Sequence, residues 1–214
     1  RLAASDEDKA GRDLVSRWMS EAGLTVVTDY IGNLFGIWVP EGCADAAPLM
    51  LGSHIDTVIN AGQFDGCYGV LAALEVVETL KVSGFVPARP IAIGAFTNEE
   101  GVRYAPDMMG SLVYAGGYPL EKALASVGTD EELRRIGYAG TVEPGFLKPC
   151  AFVELHIEQG PILDAEGISI GAVENLQGIS WQRVTIEGEQ NHAGTTPTAY
   201  RVDAGLAAAK VITF

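Results

Sequence analysis

The segment Pro48–Asp56, PLMLGSHID, is a short apolar run that ends in a histidine and an aspartate. A run of this length with glycines close behind it is typical of a buried strand. A helical apolar pattern follows over Gly69–Val82, and a second apolar run covers Arg89–Thr97. A third apolar run, Ala151–Leu155, comes after short helical pieces within residues 107–136. Strands that alternate with helices in this way predict an α/β fold, with a mixed, largely parallel sheet and helices on both faces.

The region before this core predicts a helix and two further strands. Apolar residues recur at helical spacing from Ser5 to Ala22, and Gly23 stands where a helix-ending glycine belongs. Two strand-like runs follow, Leu24–Tyr30 and Asn33–Val39. We therefore expect one helix and then two strands before the run Pro48–Asp56.

The end of the chain predicts the start of a second domain. We expect a larger domain over residues 1–175 and a smaller one that begins at 176 and is broken off at 214. Ile179–Glu187 alternates as a strand, and Ala199–Phe214 has the spacing of an amphipathic helix. One strand and one helix cannot bury both of their faces, so we expect further chain beyond Phe214.

Composition and charge exclude several classes of protein. The formal net charge is −14, which disfavours nucleic-acid backbones and anionic membranes as partners. Apolar residues make up 48% of the chain, enough for a sizeable core, yet no apolar run reaches the length of a membrane span. The three cysteines form no paired framework, which favours a reducing, cytoplasmic setting.

Each of the three central apolar runs ends in side chains that can bind metal. The first ends in His54 and Asp56, the second is followed by Glu99 and Glu100, and the third by the group His156, Glu158 and Gln159. In open α/β sheets the ligand site lies outside the carboxyl ends of the strands. Three strands therefore direct histidine and carboxylate groups to one edge, which predicts a metal site there.

The spacing within these groups suggests which residues bind metal and which orient a ligand or transfer protons. His54 and Asp56 are two residues apart and share a face at a strand end, so Asp56 could hold the His54 ring. Asp65 lies between Gly62 and Gly66 in a loop that can turn sharply, and its carboxylate could bridge two ions about 3.5–4 Å apart. Of the adjacent Glu99 and Glu100, one can bind metal while the other stays free as a general base. This donor set suits Zn²⁺, Mn²⁺ or Co²⁺ rather than Ca²⁺ or Mg²⁺.

Five motifs in order along the chain carry a resemblance to a known family. They are GSHIDTV, GQFDGCYGV, FTNEEGVRY, LHIEQGPIL and NHAGTTP. Together they resemble the hydantoinase/carbamoylase subfamily of the M20 metallopeptidase-like amidohydrolases. That subfamily includes N-carbamoyl-L-amino acid hydrolases, allantoate amidohydrolases and β-ureidopropionases. The likeness runs from about Leu2 to Phe214, and LHIEQG separates this subfamily from the peptidases of the wider group.

The resemblance implies a role for each matching residue. His54 and His156 would bind one metal ion, Asp65 would bridge two, and Glu100 would bind the second. Other implied roles are a general base at Glu99, an orienting partner of His54 at Asp56, a substrate contact at Gln159, and support of the reacting carbonyl by His192. The implied reaction is attack of metal-bound hydroxide on the carbonyl of an N-carbamoyl amino acid or ureido acid. The family also dimerises through its smaller domain, so a homodimer is expected.

The sequence departs from the family pattern at its end. Family members carry a last metal-binding histidine and a lid arginine that grips the substrate carboxylate, and no histidine follows His192 here. The expectation is therefore a fragment of a longer hydrolase or a truncated product. N-carbamoyl-L-amino acid hydrolysis is the first choice of reaction, with allantoate amidohydrolase and β-ureidopropionase as alternatives. A catalytically dead metal-binding or dimerising module remains the alternative from another class.

Overall fold

The structure, a computed structural model, describes residues 1–126, 128–180 and 182–213. The chain forms two compact units, one over Arg1–Pro161 and one from Ile162 onward, and each is described by itself. The predicted domain boundary at residue 175 stays a prediction. Within the described ranges, no helix is both long enough and apolar enough to cross a bilayer.

A single five-stranded sheet forms the centre of the first unit. Its strands in chain order are β1 (Thr25–Thr28), β2 (Leu34–Trp38), β3 (Leu49–His54), β4 (Ile91–Phe96) and β5 (Ala151–Val153). Their spatial order is β1-β2-β4-β3-β5. Strand β3 runs parallel to both β4 and β5, whereas β2 pairs antiparallel with β1 and β4. The predicted mixed, largely parallel sheet is confirmed.

The parallel register brings the predicted strand ends to the same edge. His54, the last residue of β3, is the partner of Phe96, the last residue of β4. The third strand is shorter than predicted, since β5 ends at Val153 and its pairing with β3 stops at Leu51. His156 therefore lies in the loop that follows β5 and not on the strand itself.

Helices precede and separate these strands. In the first unit they are α1 (Asp6–Glu21), α2 (Cys67–Val82), α3 (Met109–Tyr114), α4 (Leu120–Ala125) and α5 (Thr129–Ile136). The Ser5 side chain caps α1 by accepting a hydrogen bond from the Asp8 backbone N–H. Gly23 follows α1 with a φ of 75°, the left-handed conformation expected of a residue after a helix end.

The core lies on both faces of the sheet. Along β4, Ile91, Ile93 and Ala95 belong to the larger apolar cluster, which also includes residues of α1 and α2. The alternate positions Ala92 and Phe96 belong to a smaller cluster, against which Tyr114 at the end of α3 packs. Both faces of β4 are thus buried, which accounts for its continuous apolar sequence.

A buried ion pair ties α1 to the sheet. Arg12 Nε donates to Asp8 Oδ2 at 2.8 Å, and both side chains are almost fully buried. The other nitrogens of Arg12 donate to the Gly32 carbonyl at 2.6 Å and to Thr97 Oγ1 at 3.3 Å. Because Thr97 directly follows β4, this network fixes the start of the segment that carries Glu99 and Glu100.

The second unit contains two helices and a short 3-10 turn among its described residues. These are α6 (Ile162–Glu166), the turn Thr198–Tyr200 and α7 (Ala204–Thr213). The helix expected over Ala199–Phe214 begins later, at Ala204, and Phe214 lies outside the described residues. The strand expected over Ile179–Glu187 is wrong for 179–180 and 182–187, where no strand forms. Alternating polarity makes a strand only where a neighbouring strand offers hydrogen bonds, and the described part of the unit holds none.

Candidate metal centre

Three predicted ligands come together at the carboxyl edge of the sheet. His54 ends β3, Asp65 lies in the loop before α2, and His156 lies three residues beyond β5. One donor atom from each lies within 4.8 Å of the other two, which is a spacing that one metal ion can span. The rings of His54 and His156 are stacked, with centroids 5.9 Å apart.

Both histidines are held by a backbone carbonyl on the side away from the cluster. His54 Nδ1 lies 2.9 Å from the Asp56 carbonyl oxygen, and His156 Nδ1 lies 2.8 Å from the Ile157 carbonyl oxygen. A carbonyl can only accept, so each Nδ1 carries a proton, and Nε2 is the ring nitrogen left to bind a metal ion. Metal-binding histidines are oriented in this way.

One oxygen of Asp65 faces the two histidine Nε2 atoms, and the other accepts a hydrogen bond. Asp65 Oδ1 lies 3.2 Å from His156 Nε2 and 3.7 Å from His54 Nε2. Asp65 Oδ2 accepts a hydrogen bond of 2.8 Å from Gln159 Nε2. Gln159, which the family resemblance places at the substrate, therefore contacts a candidate ligand in this structure.

Asp56 fixes the backbone of the glutamate pair. Its two carboxylate oxygens accept hydrogen bonds from the backbone N–H groups of Glu99 and Glu100, each at 3.2 Å. The Asp56 carboxylate lies 3.9 Å from His54 Nδ1, whose hydrogen bond goes to the Asp56 carbonyl instead. Burial raises the pKa of Asp56 above its ordinary value, and the nearby His54 opposes that rise.

Glu99 and Glu100 point to different parts of the site. Glu99 Oε2 lies 3.5 Å from His54 Nε2, whereas Glu100 lies outside the group formed by His54, Asp65 and His156. The pKa of Glu99 is raised, first by burial and then by neighbouring carboxylates. The pKa of Glu100 is raised by burial and by the negative charge of Asp65.

Glu100 provides the test of whether a cation fits here. Its Oε1 is buried and has no hydrogen-bond partner among the described residues. A buried carboxylate oxygen without a donor is costly, and a divalent ion would satisfy it. Together with two free imidazole lone pairs and the Asp65 carboxylate, the donor set fits a divalent transition-metal ion.

The sequence did not reveal Asn98 as a residue that shapes the site. Asn98 is fully buried and has a φ of 52°, a left-handed conformation between β4 and Glu99. Its side-chain nitrogen donates to the Tyr104 carbonyl at 2.8 Å and to the Pro106 carbonyl at 3.1 Å. The residue type was a usable signal, because asparagine tolerates this conformation better than most residues.

Arg103, which follows the glutamate pair, has structural contacts. Its side chain donates hydrogen bonds to the Ala3 carbonyl and to the Glu132 carboxylate.

Gly66 allows the His54 ring to lie against the loop. It has a φ of +68°, and an added Cβ would lie 2.4 Å from three atoms of the His54 ring. We expect Gly66→Ala to displace the ring and to weaken metal binding, in addition to a backbone cost of about 1–2 kcal/mol. Calorimetric titration with Zn²⁺ and urea unfolding measure the two effects.

Gly42→Ala is the matched control for this substitution. Gly42 has a similar φ of +77°, and its added Cβ would meet nothing within 4 Å. This variant should show the backbone cost alone, with Zn²⁺ affinity unchanged. Equal Zn²⁺ affinity in the two variants would contradict the packing argument.

His192 belongs to the second unit and is oriented by its own loop. Its Nδ1 accepts hydrogen bonds from the backbone N–H groups of Gly194, at 3.0 Å, and Thr195, at 3.2 Å. With Nδ1 as the acceptor, the proton of the neutral ring resides on Nε2, which becomes a hydrogen-bond donor. The ring lines a polar cleft of about 430 Å³ within this unit, together with Arg201. Arg201 steadies the loop by donating to the carbonyls of Thr196 and Ala193.

Comparison with known families places the chain. Residues 50–212 match the profile described as Peptidase family M20/M25/M40. The chain belongs to this family. It is 43% identical to N-carbamoyl-L-amino-acid amidohydrolase of Rhizobium meliloti, over 99% of this chain and 52% of that protein. It is also 41% identical to ureidoglycolate hydrolase of Arabidopsis thaliana, over 99% of this chain and 47% of that protein.

A solved structure of a related amidase has a similar fold. A hydantoinase/carbamoylase family amidase from Burkholderia multivorans superposes with a TM-score of 0.81 at 44% sequence identity. The match covers 100% of this chain and 53% of that one. The chain thus spans about half the length of the relatives it matches, and the activity of the whole protein is a matter for proposal.

Proposed function

We propose that the full-length protein is a metal-dependent amidohydrolase that cleaves a linear ureido or amide C–N bond. N-carbamoyl-L-amino acids are the substrates that we propose first. The observation that carries this proposal is the cluster of His54, Asp65 and His156, with the half-buried Glu99 carboxylate beside it. The family of the chain and the names of its relatives support the same reaction class.

Four residues would hold two divalent ions, Zn²⁺, Mn²⁺ or Co²⁺. His54, Asp65 and His156 would bind one ion through the free Nε2 atoms and Oδ1. Asp65 and Glu100 would share the second ion, which would satisfy the buried Glu100 Oε1. When bound, such ions lower the pKa of a coordinated water and so supply the nucleophile near neutral pH.

Glu99 would act as the general base and then as the general acid. Its backbone is fixed by Asp56, and its carboxylate faces the His54 side of the cluster. A raised pKa brings a carboxylate nearer to the operating pH, where it exchanges protons more effectively. Glu99 would take a proton from the attacking water and return it to the departing nitrogen.

His192 would donate a hydrogen bond to the reacting carbonyl oxygen. The two loop amides hold its Nδ1 as an acceptor, so its Nε2–H is available to a developing negative charge. Its role at the reacting carbonyl is part of the proposal.

The names of two relatives favour a substrate with a ureido group next to a carbon that bears a carboxylate. N-carbamoyl-L-amino acids and ureidoglycolate share that chemistry. Allantoate and β-ureidopropionate remain alternatives, because the motifs present do not separate these substrates. A homodimer and a cytoplasmic setting stay predictions of the sequence.

A substrate panel on the full-length protein tests this proposal. N-carbamoyl-L-amino acids, their D-enantiomers, ureidoglycolate, allantoate and β-ureidopropionate are each supplied with added Mn²⁺ or Zn²⁺, and ammonia release is measured. We expect release from at least one substrate, with the L-enantiomers preferred. A protein that binds metal weakly and releases no ammonia from any of them would instead support the inactive module.

A further inference from the structure

Gln159 contacts the group of His54, Asp65 and His156 through a hydrogen bond to Asp65. Its side-chain nitrogen donates to Asp65 Oδ2 at 2.8 Å, across 94 residues of sequence. We infer that Gln159 is a positioning residue, which holds Asp65 so that Oδ1 faces both histidines. This inference rests on the proposed metal site, and it gives Gln159 a role at Asp65 in addition to the expected contact with the substrate.

The two oxygens of Asp65 face different partners. Oδ1 lies within 3.7 Å of both histidine Nε2 atoms, while Oδ2 is turned toward the Gln159 amide. A hydrogen bond to an ionised carboxylate is about twice as strong as one between neutral groups. Gln159 thereby selects the rotation of the carboxylate that offers Oδ1 to a metal ion.

The loop that carries Asp65 needs such an external contact. Residues 58–64 are exposed or half-buried, whereas the Asp65 side chain itself is only 12% exposed. The flanking Gly66 has a positive φ and packs on the His54 ring, which fixes the backbone but leaves the carboxylate free to rotate. A donor from a distant segment, such as Gln159, can therefore set the direction of Oδ1.

The chemistry of an amide suits this position. Glutamate of the same size would place a second negative charge against Asp65, and lysine would place a positive charge beside the ions. Glutamine donates a hydrogen bond and leaves the charge of the site unchanged. The position thus favours a neutral donor of this length.

The backbone of Gln159 is itself in a costly conformation. Its φ is 56°, in the left-handed region that residues other than glycine rarely adopt. Such conformations persist where surrounding contacts hold them, and they concentrate at functional sites. The hydrogen bond to Asp65 is one contact that holds Gln159 there.

Two variants of the full-length protein test the inference. Gln159→Met keeps the length of the side chain and removes the donor, and Gln159→Gly removes the donor at a φ that glycine adopts freely. Zn²⁺ affinity is measured by calorimetric titration of the metal-free protein. We expect both variants to bind Zn²⁺ about 10–100-fold more weakly, as is typical when the partner of a ligand is lost. The visible absorption of the Co²⁺-loaded variants should also change.

Gln63→Met provides the matched control. Gln63 is exposed in the same loop as Asp65, so the chemical change is identical and the contact with Oδ2 is kept. This control should bind Zn²⁺ as the wild type does. The metal-free Gln159→Gly variant should unfold at a temperature no lower than that of the metal-free wild type. This measurement separates an effect on metal binding from a folding defect.

The results separate a failure of the Gln159 role from a failure of the proposed metal site. Wild-type Zn²⁺ affinity and an unaltered Co²⁺ spectrum in Gln159→Gly would overturn the positioning role and leave the proposed function standing. A wild-type protein that binds no Zn²⁺ would overturn the proposed function, and this inference with it. Weaker binding in both Gln159 variants, with Gln63→Met unchanged, supports the inference.

Discussion

Glu99→Gln should lower the rate of ammonia release by about 10²–10⁴-fold while the protein still binds its metal ions. The amide matches the carboxylate in size but cannot take a proton from water. The Glu99 side chain lies beside the cluster, 3.5 Å from His54 Nε2, and is not needed to complete the group of His54, Asp65 and His156. Steady-state ammonia release and metal content, measured on the same preparation, check both halves of this expectation.

Glu154→Gln is the matched control for that variant. Glu154 directly follows β5, bonds Ser53 through its side chain, and adds negative charge near Glu99 without a proposed part in the chemistry. Its substitution should change the rate by no more than a few-fold, in line with the modest effect of an exposed charge. If Glu99→Gln were as active as Glu154→Gln, the assignment of the general base would be wrong.

His156→Ala should abolish binding of the first ion, and with it the activity. Outer partners of metal ligands typically contribute 10–100-fold in affinity, and loss of a direct ligand should cost more than that. The His156 side chain is 27% exposed and follows a short edge strand, so the fold should tolerate its removal better than that of the buried His54. Zn²⁺ titration and urea unfolding of the metal-free protein measure the two effects separately.

His192→Ala gives the contrasting result. It removes a histidine from the second unit, so metal affinity should equal that of the wild type while turnover falls. Loss of metal binding in His192→Ala, or wild-type affinity in His156→Ala, would contradict the division of roles between the two units.

The sequence predicted the strand ends well because two independent signals agreed there. Short apolar runs fix where buried strands lie, and parallel strands with helical crossovers bring their carboxyl ends to one edge. His54, Glu99 and Glu100 lie at or just beyond the paired ends of β3 and β4, as the strand ends predict. His156 was also placed there, although its strand ends at Val153 and a loop carries it to the site.

Contacts between loops could not be predicted from periodicity. The bond from Gln159 to Asp65 depends on two loops whose conformations are set by positive-φ residues and by tertiary packing. The expected strand over Ile179–Glu187 failed for a related reason, since an alternating pattern does not supply a partner strand. The buried pair of Asp8 and Arg12 was missed because its spacing is also typical of an exposed pair on a helix.

The metal content of the active, full-length protein tests the proposed metal centre most directly. Elemental analysis of the purified protein should find two divalent ions per chain. Removal of these ions by a chelator should stop ammonia release from N-carbamoyl-L-amino acids, and added Zn²⁺, Mn²⁺ or Co²⁺ should restore it. A metal-free protein that released ammonia at the undiminished rate would contradict the central claim that His54, Asp65, Glu100 and His156 form a catalytic metal centre.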